Sequence, residues 1–466
     1  MKKIIKKALT LTSALVLCMA LAACQIKAVN EDSSSPIIES YSAVSEESSS
    51  AKTENTISQD KTAQTQTESS SSISEGTASQ ANSSESSTVT VPEGFTERDF
   101  DLGYSDYVTI ALNGNSASAD GSGVVMGDQV ITITEDGTYL LAGTYEGQIL
   151  INVSDEDGKV QLVLDGVDIS CEDSAAIYVA SADKVFITTT SGSDNKVSTT
   201  GAFVQTDDNT VDGVIFSKGN LVLNGEGTLS VTSAQGHGIV SKDDLKITSG
   251  TYVINAAEKG LESNDMIRIA GGNLTITAGD DGMNTEGYIL IEDGTITITA
   301  DDDAIHADAL LTIENGVLQL DAHEGLEATV ITINGGTIDL NATDDGINAA
   351  QKVDDYTPTV EINGGQITIN MGAGDTDAID SNGYLYINGG TVSIYAQSPF
   401  DYDIDGAING GEVYVNGQQV TQMTNQMMGG FGGGMQGGNP GGMPGGQGGQ
   451  GGFPGGQGGM PGGHGR

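Results

Sequence analysis

The middle of the chain alternates apolar and polar residues in short runs, and each run ends at an Asn, Asp or Gly turn. Alternation with a period of two predicts half-buried β-strands. One unit recurs nine times, as LVLNGEGTLSV, LKITSGTYVI, IRIAGGNLTI, ILIEDGTITI, LTIENGVLQL, ITINGGTIDL, VEINGGQITI, LYINGGTVSI and AINGGEVYV. Its turn glycines, at 227, 250, 272, 294, 316, 336, 365, 390 and 411, give a period of about 22 residues with one insertion near residues 352–358.

Each unit has two strands around the glycine turn and a third short strand after an acidic corner. Antiparallel hairpins, as in a meander or sandwich, would explain the strand–turn–strand part, but not the return of three corners at nearly constant spacing. A right-handed parallel β-helix explains both, because equivalent residues of successive coils then stack at about 4.8 Å. We therefore predict an all-β solenoid over residues 93–420.

The two ends of the chain have other compositions. Residues 1–24 combine four lysines, an apolar run and the sequence Leu-Ala-Ala-Cys, which resembles a bacterial lipoprotein signal cleaved before a lipidated Cys24. An ordinary signal peptide with an incidental cysteine is the alternative. Residues 25–92 are rich in Ser, Thr and Glu, and residues 421–466 in Gly, Met and Pro, so we expect a disordered tether and a disordered tail.

These segments predict a protein anchored through lipid alone to the extracellular face of the bacterial cytoplasmic membrane, at the cell surface. The net charge of -46 argues against nucleic acid and anionic lipid surfaces as partners, and it favours cations or ligands bound through cations. If Cys24 carries lipid, Cys171 has no disulfide partner in the mature chain, and we expect it to be a small core residue. We expect a monomer.

The corners before the third strand align as KGLESN, DGMNTE, DAIHAD, EGLEAT, DGINAA and DAIDSN. One column of the alignment then holds Lys259, Asp281, Asp303, Glu324, Asp345 and Asp377, and a second holds Glu262, Asn284, His306, Glu327, Asn348 and Asp380. Two carboxylates about 4.8 Å apart repel by roughly 3 to 4 kcal/mol at an effective dielectric of 20. Since residues 212–411 contain only six Lys and Arg, we expect cations from solution to offset this repulsion.

Calcium suits such a column, because it takes six to eight oxygen ligands. We predict several Ca²⁺ ions, in cages of Glu262 with Asp280, Asp281 and Asn284, of Glu324 with Asp344, Asp345 and Asn348, and of Asp345 with Asp375, Asp377 and Asp380. Asp302 and Asp303 form a weaker rung beside His306. A solvated acidic edge without metal is the alternative.

Asp401, Asp403 and Asp405 fit the EF-hand loop pattern, with Gly406 and Glu412 at the expected positions. An EF-hand needs flanking helices, whereas Ser-Pro-Phe precedes this stretch and a predicted strand follows it. We interpret it as the corner of the last coil and as a further candidate Ca²⁺ site.

The coils ITEDGTYLLAGTY and DKVQLVLDGVDIS, the D-D-G-[IM]-N corners and the Gly/Met/Pro-rich tail resemble the clostridial-type carbohydrate-binding β-helix lipoproteins. The resemblance covers residues 100–420. It implies a right-handed parallel β-helix that carries Ca²⁺ and binds cellulose or acidic plant polysaccharide such as pectin, with a fold similar to polysaccharide lyase family nine. With no tryptophan in the chain, the residues available for stacking on sugars are Tyr252, Tyr288, Tyr384, Tyr386 and Tyr395.

We therefore expect a non-catalytic, Ca²⁺-dependent or Ca²⁺-stabilised polysaccharide-binding protein. A polysaccharide lyase acting on polyuronates is the runner-up, with Lys259 or Lys352 as the base that β-elimination requires. An adhesin or stalk that binds no glycan is the third alternative.

Overall fold

The computed structural model describes residues 94–155, 157–205, 210–372 and 376–425. The lipidation candidate Cys24, the signal peptide, the tether and residues 426–466 of the tail lie outside these ranges. Within them the only helix is a short 3-10 helix, Glu97–Phe100, and the regular structure is otherwise β. No helix found in this part of the chain is long and apolar enough to cross a membrane.

The strands are short and follow one another closely. The first eighteen are β1 Val108–Gly114, β2 Ser116–Ala119, β3 Val124–Met126, β4 Val130–Ile133, β5 Gly137–Glu146, β6 Gln148–Asn152, β7 Lys159–Cys171, β8 Ile177–Ser181, β9 Lys184–Thr189, β10 Asp194–Thr199, β11 Gly213–Ser217, β12 Asn220–Gly225, β13 Thr228–Ser233, β14 His237–Ser241, β15 Asp244–Ile247, β16 Thr251–Ala256, β17 Leu261–Ser263 and β18 Met266–Ile269.

The remaining strands are β19 Asn273–Ala278, β20 Met283–Thr285, β21 Tyr288–Ile291, β22 Thr295–Ala300, β23 Asp303–Ile313, β24 Val317–Ala322, β25 Glu324–Ile333, β26 Thr337–Ala342, β27 Ile347–Ala349, β28 Thr359–Ile362, β29 Gln366–Met371, β30 Ile379–Ser381, β31 Tyr384–Ile387, β32 Thr391–Tyr395, β33 Asp405–Ile408, β34 Glu412–Val415 and β35 Gln418–Val420.

Parallel pairing sorts most of these strands into three stacks. Stack 1 contains β10, β13, β16, β19, β22, β24, β26, β29, β32 and β34. Stack 2 contains β8, β11, β14, β17, β20, the first halves of β23 and β25, β27 and β30. Stack 3 contains β9, β12, β15, β18, β21, the second halves of β23 and β25, β28, β31 and β33. This long parallel stacking is consistent with the predicted solenoid.

The apolar positions of the alternating pattern form the core. In stack 1, Ile254 pairs with Ile276, Ile276 with Ile298 and Ile298 with Leu320, and all four side chains are fully buried. Because side chains alternate across a strand, the threonines and asparagines between these residues point outward. The continuous interior therefore follows from the period-two pattern.

The turn glycines lie where stacks 3 and 1 meet. Gly272, Gly294 and Gly316 have φ of 107°, 133° and 118°, a backbone region that side chains disfavour. Consecutive turns also approach closely, since a Cβ on Gly294 would lie 3.2 Å from the carbonyl oxygen of Gly272. In the first of the nine units, positive φ occurs at Gly225 and not at the predicted Gly227.

Antiparallel pairing occurs only toward the ends of the described strands, between β1 and β2, β3 and β4, and β34 and β35. Such hairpins limit the open strand edges of a solenoid. The meander or sandwich alternative is therefore wrong for this part of the chain.

Residues 94–101, here called the strap, contain the 3-10 helix and lie on the outer face of stack 3. Asp99 is fully buried, its Oδ1 lies 3.1 Å from Nζ of Lys184, and its carbonyl oxygen accepts hydrogen bonds from Asn224 and Thr248. Arg98 packs over the ring of Phe186 at 4.6 Å. The sequence did not predict the strap.

Candidate functional site

The acidic corners meet along the outer side of stack 2. Parallel pairing connects Glu262 to Asn284, Asn284 to His306, His306 to Glu327, Glu327 to Asn348 and Asn348 to Asp380. This is the register given by the sequence alignment. We call this column and the neighbouring turn column, Lys259, Asp281, Asp303, Glu324, Asp345 and Asp377, the acidic ladder.

The turn column is followed by a residue that must be small. The backbone N–H of Gly282 donates to the carbonyl of Asp303, and that of Gly346 donates to the carbonyl of Asp377. A Cβ on Gly346 would lie 2.5 Å from the carbonyl oxygen of Ala378, so the coils approach too closely for a side chain there. This packing explains the recurring acid–glycine and acid–alanine pairs.

Basic residues of the chain occupy the middle of the ladder. Nζ of Lys259 lies 2.6 Å from Oδ2 of Asp281, and Nζ of Lys352 lies 2.7 Å from Oε1 of Glu327. Nδ1 of His306 lies 2.7 Å from Oδ2 of Asp303 and 2.9 Å from Oε2 of Glu327. The expectation that the chain cannot supply the compensating charge is therefore wrong for these rungs, because the insertion brings Lys352 back to the ladder.

The ionisation of these groups follows from their contacts. Burial by itself would lower the pKa of His306, but hydrogen bonds with Asp303 and Glu327 raise it to about 10. Burial would raise the pKa of Glu327, yet His306 and Lys352 lower it to about 2. Burial, with the nearby charge of Glu327, raises the pKa of Asp303 to about 7. His306 is thus a cation at neutral pH, in addition to Lys259 and Lys352.

The first predicted cage also contains protein cations. Glu262 pairs with Lys242 at 2.8 Å and with His237 at 3.4 Å, and Asn284 donates to Asp281 through its amide nitrogen. Carboxylate oxygens of Asp280, Asp281 and Asp302 come within 4.8 Å of one another, close to Lys259. This cage therefore offers a cation less uncompensated charge than the sequence suggested.

Side chains of the second predicted cage lie close together. Ligand atoms of His323, Glu324 and Asp344 lie within 4.8 Å of one another. Burial first, and then the charges of Glu324 and Asp344, raise the pKa of Asp345. Asn348 donates to Oε2 of Glu324 at 3.0 Å. Its own Oδ1 is buried and accepts no hydrogen bond from the described part of the chain.

In the third predicted cage, no basic residue of the described part of the chain offsets the charge of the carboxylates. Its described members are Asp345, Asp377 and Asp380, joined by Asp401, while Asp375 lies outside the described residues. None of these four forms an ion pair with a basic residue in the described part of the chain. We call them the aspartate cluster.

Electrostatics within the aspartate cluster are unfavourable. Burial, followed by the charges of Asp345, Asp401 and Asp377, raises the pKa of Asp380 to about 7. Burial and neighbouring carboxylates, partly opposed by a hydrogen bond from the Asp377 backbone, raise the pKa of Asp345 to about 6. Oδ1 of Asp401 is buried and has no hydrogen-bond partner among the residues that the structure describes. Since native structures rarely leave such atoms unsatisfied, these oxygens suit a hard cation.

The other two aspartates of the last corner, Asp403 and Asp405, lie apart from the aspartate cluster. Asp403 is exposed, and Asp405 lies in β33, where its Oδ2 accepts a hydrogen bond from Tyr386 at 3.5 Å. Only Asp401 of this trio joins the cluster, since β33 belongs to stack 3.

Sequence reasoning missed one further rung. His237 precedes Gly238 as Lys259 precedes Gly260, and its Nδ1 accepts a hydrogen bond from the backbone of Lys259. Its Nε2 faces carboxylates of Asp212, Glu258 and Glu262 at 3.3 to 3.9 Å. The motif HGIVSK carried the signal, because it aligns with KGLESN.

Cavities in the described part of the chain also contain acidic residues. One of about 360 Å³ lies over the middle rungs, between Lys259 and Lys352. The other, of about 500 Å³, lies among earlier coils and includes the carboxylates of Asp128, Glu146, Glu172 and Asp173. Cys171, predicted to be a core residue, is buried with a free thiol at its wall.

The five tyrosines proposed for stacking on sugars do not lie together on one exposed surface. Tyr252 is buried and donates to the carbonyl of Ser249, so it is unavailable for stacking on a sugar. Tyr384 and Tyr386 lie on stack 3 with ring centroids 5.9 Å apart, and Tyr288 lies on the same stack against Arg268. Tyr395 is half exposed at the end of β32 in stack 1.

Comparisons with known proteins identify similar sequences and one similar solved structure. A family model described as "Carbohydrate-binding domain-containing protein" matches residues 127–377. A protein of that description from Acetivibrio thermocellus is 39% identical over 152 residues, which are 32% of this chain and about half, 52%, of that protein. A solved structure described as the polysaccharide lyase-like protein from C. thermocellum, a gadolinium derivative, is 30% identical, has a TM-score of 0.42 and covers 57% of this chain and 98% of its own.

Proposed function

The chain belongs to the family of carbohydrate-binding domain-containing proteins, and from this premise we propose that it is a non-catalytic, Ca²⁺-dependent or Ca²⁺-stabilised polysaccharide-binding protein of the cell surface. The three parallel stacks would form a right-handed parallel β-helix with coils of about 22 residues, and lipid on Cys24 would anchor it. The proposed ligand is an acidic polysaccharide such as pectin, or cellulose.

The aspartate cluster is the observation that supports the role of calcium. Asp345, Asp377, Asp380 and Asp401 would hold the ion, with the unpartnered oxygens of Asn348 and Asp401 as neutral and charged donors. Bound calcium would supply positive charge that offsets the repulsion of these carboxylates and can accept a uronate carboxylate. The chain's own contribution is to hold the four carboxylates on adjacent coils.

The middle rungs have a different role in this proposal. Lys259, His306 and Lys352 make the region around the smaller cavity less negative than the aspartate cluster beside it. Six carboxylates still line that cavity beside the three cations, so an acidic glycan lying along stack 2 would bind through calcium at the last rungs rather than through the middle ones. The calcium contact favours uronates over neutral sugars.

A lyase remains the second candidate, because the smaller cavity places two lysines beside carboxylates. Burial would lower the pKa of each amine, but the bonds of Lys259 to Asp281 and of Lys352 to Glu327 raise both pKa values. A general base needs a pKa near the working pH, so these lysines are poorly suited to proton abstraction. This electrostatic argument favours binding over catalysis.

Affinity electrophoresis tests the proposal. We expect gels containing polygalacturonate to retard the full chain in the presence of Ca²⁺ and to retard it much less with EDTA. Gels with soluble cellulose derivatives test the neutral ligand. If neither polysaccharide changes the mobility in either buffer, the binding proposal is wrong. Ultraviolet absorbance of unsaturated products from polygalacturonate would instead identify a lyase.

A further inference from the structure

The cavity of about 500 Å³ lies where β7 leads into β8, at the same corner of the coils as the acidic ladder but upstream of it. Successive coils build its wall, because Glu146 pairs with Ser170 and Cys171 pairs with Thr199. The cavity therefore crosses several coils. Four acidic residues belong to its wall, namely Asp128, Glu146, Glu172 and Asp173.

The four carboxylates have no cationic partner within the chain. None of them forms an ion pair with a basic residue in the described ranges. They are also spread apart, since among the described residues no three of these carboxylates bring donor atoms within 4.8 Å of one another. The ligands of one Ca²⁺ ion lie within about 5 Å of one another, twice the metal–oxygen distance. The wall therefore suits a ligand with separate positive groups along its length better than a single metal ion.

We propose that this cavity binds an amino sugar chain, an oligosaccharide of glucosamine units whose ammonium groups pair with the wall carboxylates. The glycan class rests on the proposed function, whereas the site, the sign of the ligand's charge and the independence from calcium go beyond it. Ammonium–carboxylate hydrogen bonds are stronger than bonds between neutral groups, so the amino sugar is favoured over a neutral glucan. A uronate would add negative charge to a wall whose described residues include no cation.

Tyr145 adds a buried hydroxyl beside the cavity. The residue is 3% exposed, and its hydroxyl forms no hydrogen bond with a residue that the structure describes. Its ring lies against the wall, since a Cβ on Gly147 would lie 2.9 Å from Cε1 of Tyr145. Burial first, and then the charges of Asp128 and Cys171, raise the pKa of the phenol, so the hydroxyl lies near both of these wall residues. Because buried hydroxyls seldom stay without a partner, this one is available to a sugar hydroxyl.

Gln148 contributes an acceptor that is already held in place. Its amide nitrogen donates to Oγ of Ser174 at 3.1 Å and to the carbonyl of Ala175 at 2.9 Å. Both N–H groups of the amide are then used, and its oxygen remains as an acceptor for an ammonium or hydroxyl group. A side chain fixed in this way loses little entropy when the ligand binds.

Isothermal titration calorimetry of the full chain in EDTA tests the ligand class. The probes are the β-linked tetramer of glucosamine and cellotetraose, which differ only in carrying an amine or a hydroxyl group on the second carbon of each ring. At mildly acidic pH, where the amines are charged, we expect the glucosamine tetramer to bind at least about tenfold more tightly, which is the contribution of one charge-assisted hydrogen bond. Equal affinities, or no binding of either probe, would overturn the proposal.

Variants test the location. E172Q/D173N removes two charges from the wall and is expected to weaken binding of the glucosamine tetramer at least about tenfold. D354N/D355N removes two adjacent exposed charges elsewhere and should leave the affinity unchanged. Tyr145→Phe keeps the ring but removes the hydroxyl, so it should weaken binding several-fold. Full affinity in E172Q/D173N would place the tetramer on another acidic surface and contradict the proposal.

A second cation separates sugar recognition from charge alone. Spermine carries ammonium groups without sugar rings, so its binding should be insensitive to Tyr145→Phe. If spermine binds as tightly as the tetramer and responds equally to both cavity variants, the cavity is a general cation site and the proposal is wrong.

This site and the proposed function fail separately. Asp380→Asn, in the aspartate cluster, should leave tetramer binding in EDTA unchanged, and E172Q/D173N should leave calcium-dependent retardation by polygalacturonate unchanged. If polygalacturonate never retards the chain but the tetramer binds at the cavity in EDTA, the calcium-dependent function fails and this site stands. Retardation by polygalacturonate without tetramer binding overturns this site alone.

Discussion

The ammonium group of Lys352 lies 2.7 Å from Oε1 of Glu327, although the two residues belong to different coils. Lys352 comes from the segment between β27 and β28, the insertion that interrupts the repeat, and Glu327 lies in β25. The insertion therefore brings a cation to the ladder just before the aspartate cluster, which has none. This contact divides the ladder into a self-compensated part and a part that needs a cation from solution.

Removing the cation at Lys352 should destabilise the protein. Lys352→Gln leaves the buried Glu327 with His306 as its cationic partner and Asn348 as a neutral donor. We expect a loss of about 1–2 kcal/mol, since breaking a partly buried pair costs more than breaking a surface pair. Urea unfolding measures the change. Lys218→Gln is the matched control and should change little, because Lys218 is exposed and forms no ion pair with any residue that the structure describes. If both variants lose the same free energy of unfolding, the contact between Lys352 and Glu327 does not stabilise the protein.

Neutralising the aspartate cluster should have opposite effects with and without calcium. In EDTA, Asp380→Asn relieves repulsion with Asp345 and Asp401, so the melting temperature should rise. In excess Ca²⁺ the same change removes a ligand, so it should lower the calcium-induced stabilisation. Glu226→Gln, which removes the same charge from an exposed residue, should show neither effect. A change of one sign in both buffers would contradict a cation site here.

The metal-free protein should lose stability as the pH rises. The folded-state pKa values of Asp345 and Asp380, about 6 and about 7, lie above the ordinary aspartate value of about 3.9. The folded state binds these protons more tightly than the unfolded state, so their contribution is full below about pH 4 and is lost as the pH rises through 6 and 7. Thermal unfolding in EDTA across this range measures it. A melting temperature that climbs toward pH 7 in EDTA would be the opposite result.

Gly282, which follows Asp281 of the turn column, should tolerate no side chain, although the equivalent position of some other coils holds alanine. Gly282→Ala places a Cβ 2.4 Å from Ile298 Cγ2 and 2.6 Å from the carbonyl oxygen of Ala304, and we expect about 1–3 kcal/mol of destabilisation. Gly271→Ala is the control, because the nearest atom, the Thr248 carbonyl oxygen, is 3.3 Å away. If both variants lose the same free energy of unfolding, the close spacing of the coils is not the reason for glycine at position 282.

Much of the strand stacking could be predicted, because it follows from the nearly constant length of the sequence repeat. The turn glycines at 272, 294 and 316 fixed the register, and with it the pairing of Glu262, Asn284 and His306. What could not be predicted depends on where long side chains reach. The alignment shows Lys259 and Lys352 as isolated cations, and only the coil geometry shows which carboxylates they contact.

The irregular ends were equally hard to predict. Asp401 follows Ser398, Pro399 and Phe400 in a coil without the repeat motif, and its approach to Asp380 comes from backbone hydrogen bonds of Asp401 with Ile379 and Ser381. The strap has no repeat at all, and burial of Asp99 against Lys184 is a contact between residues 85 positions apart. Such contacts leave no periodic signal in the sequence.

An anomalous-difference map from a crystal grown with Ca²⁺ tests the central claim most directly. The account predicts a peak at about 2.3 to 2.6 Å from carboxylate oxygens of Asp380 and Asp401, with Asp345 or Asp377 completing the set. It predicts no peak between Lys352 and Glu327. A map with no peak at the aspartate cluster, in crystals that contain calcium, would contradict the assignment of this site.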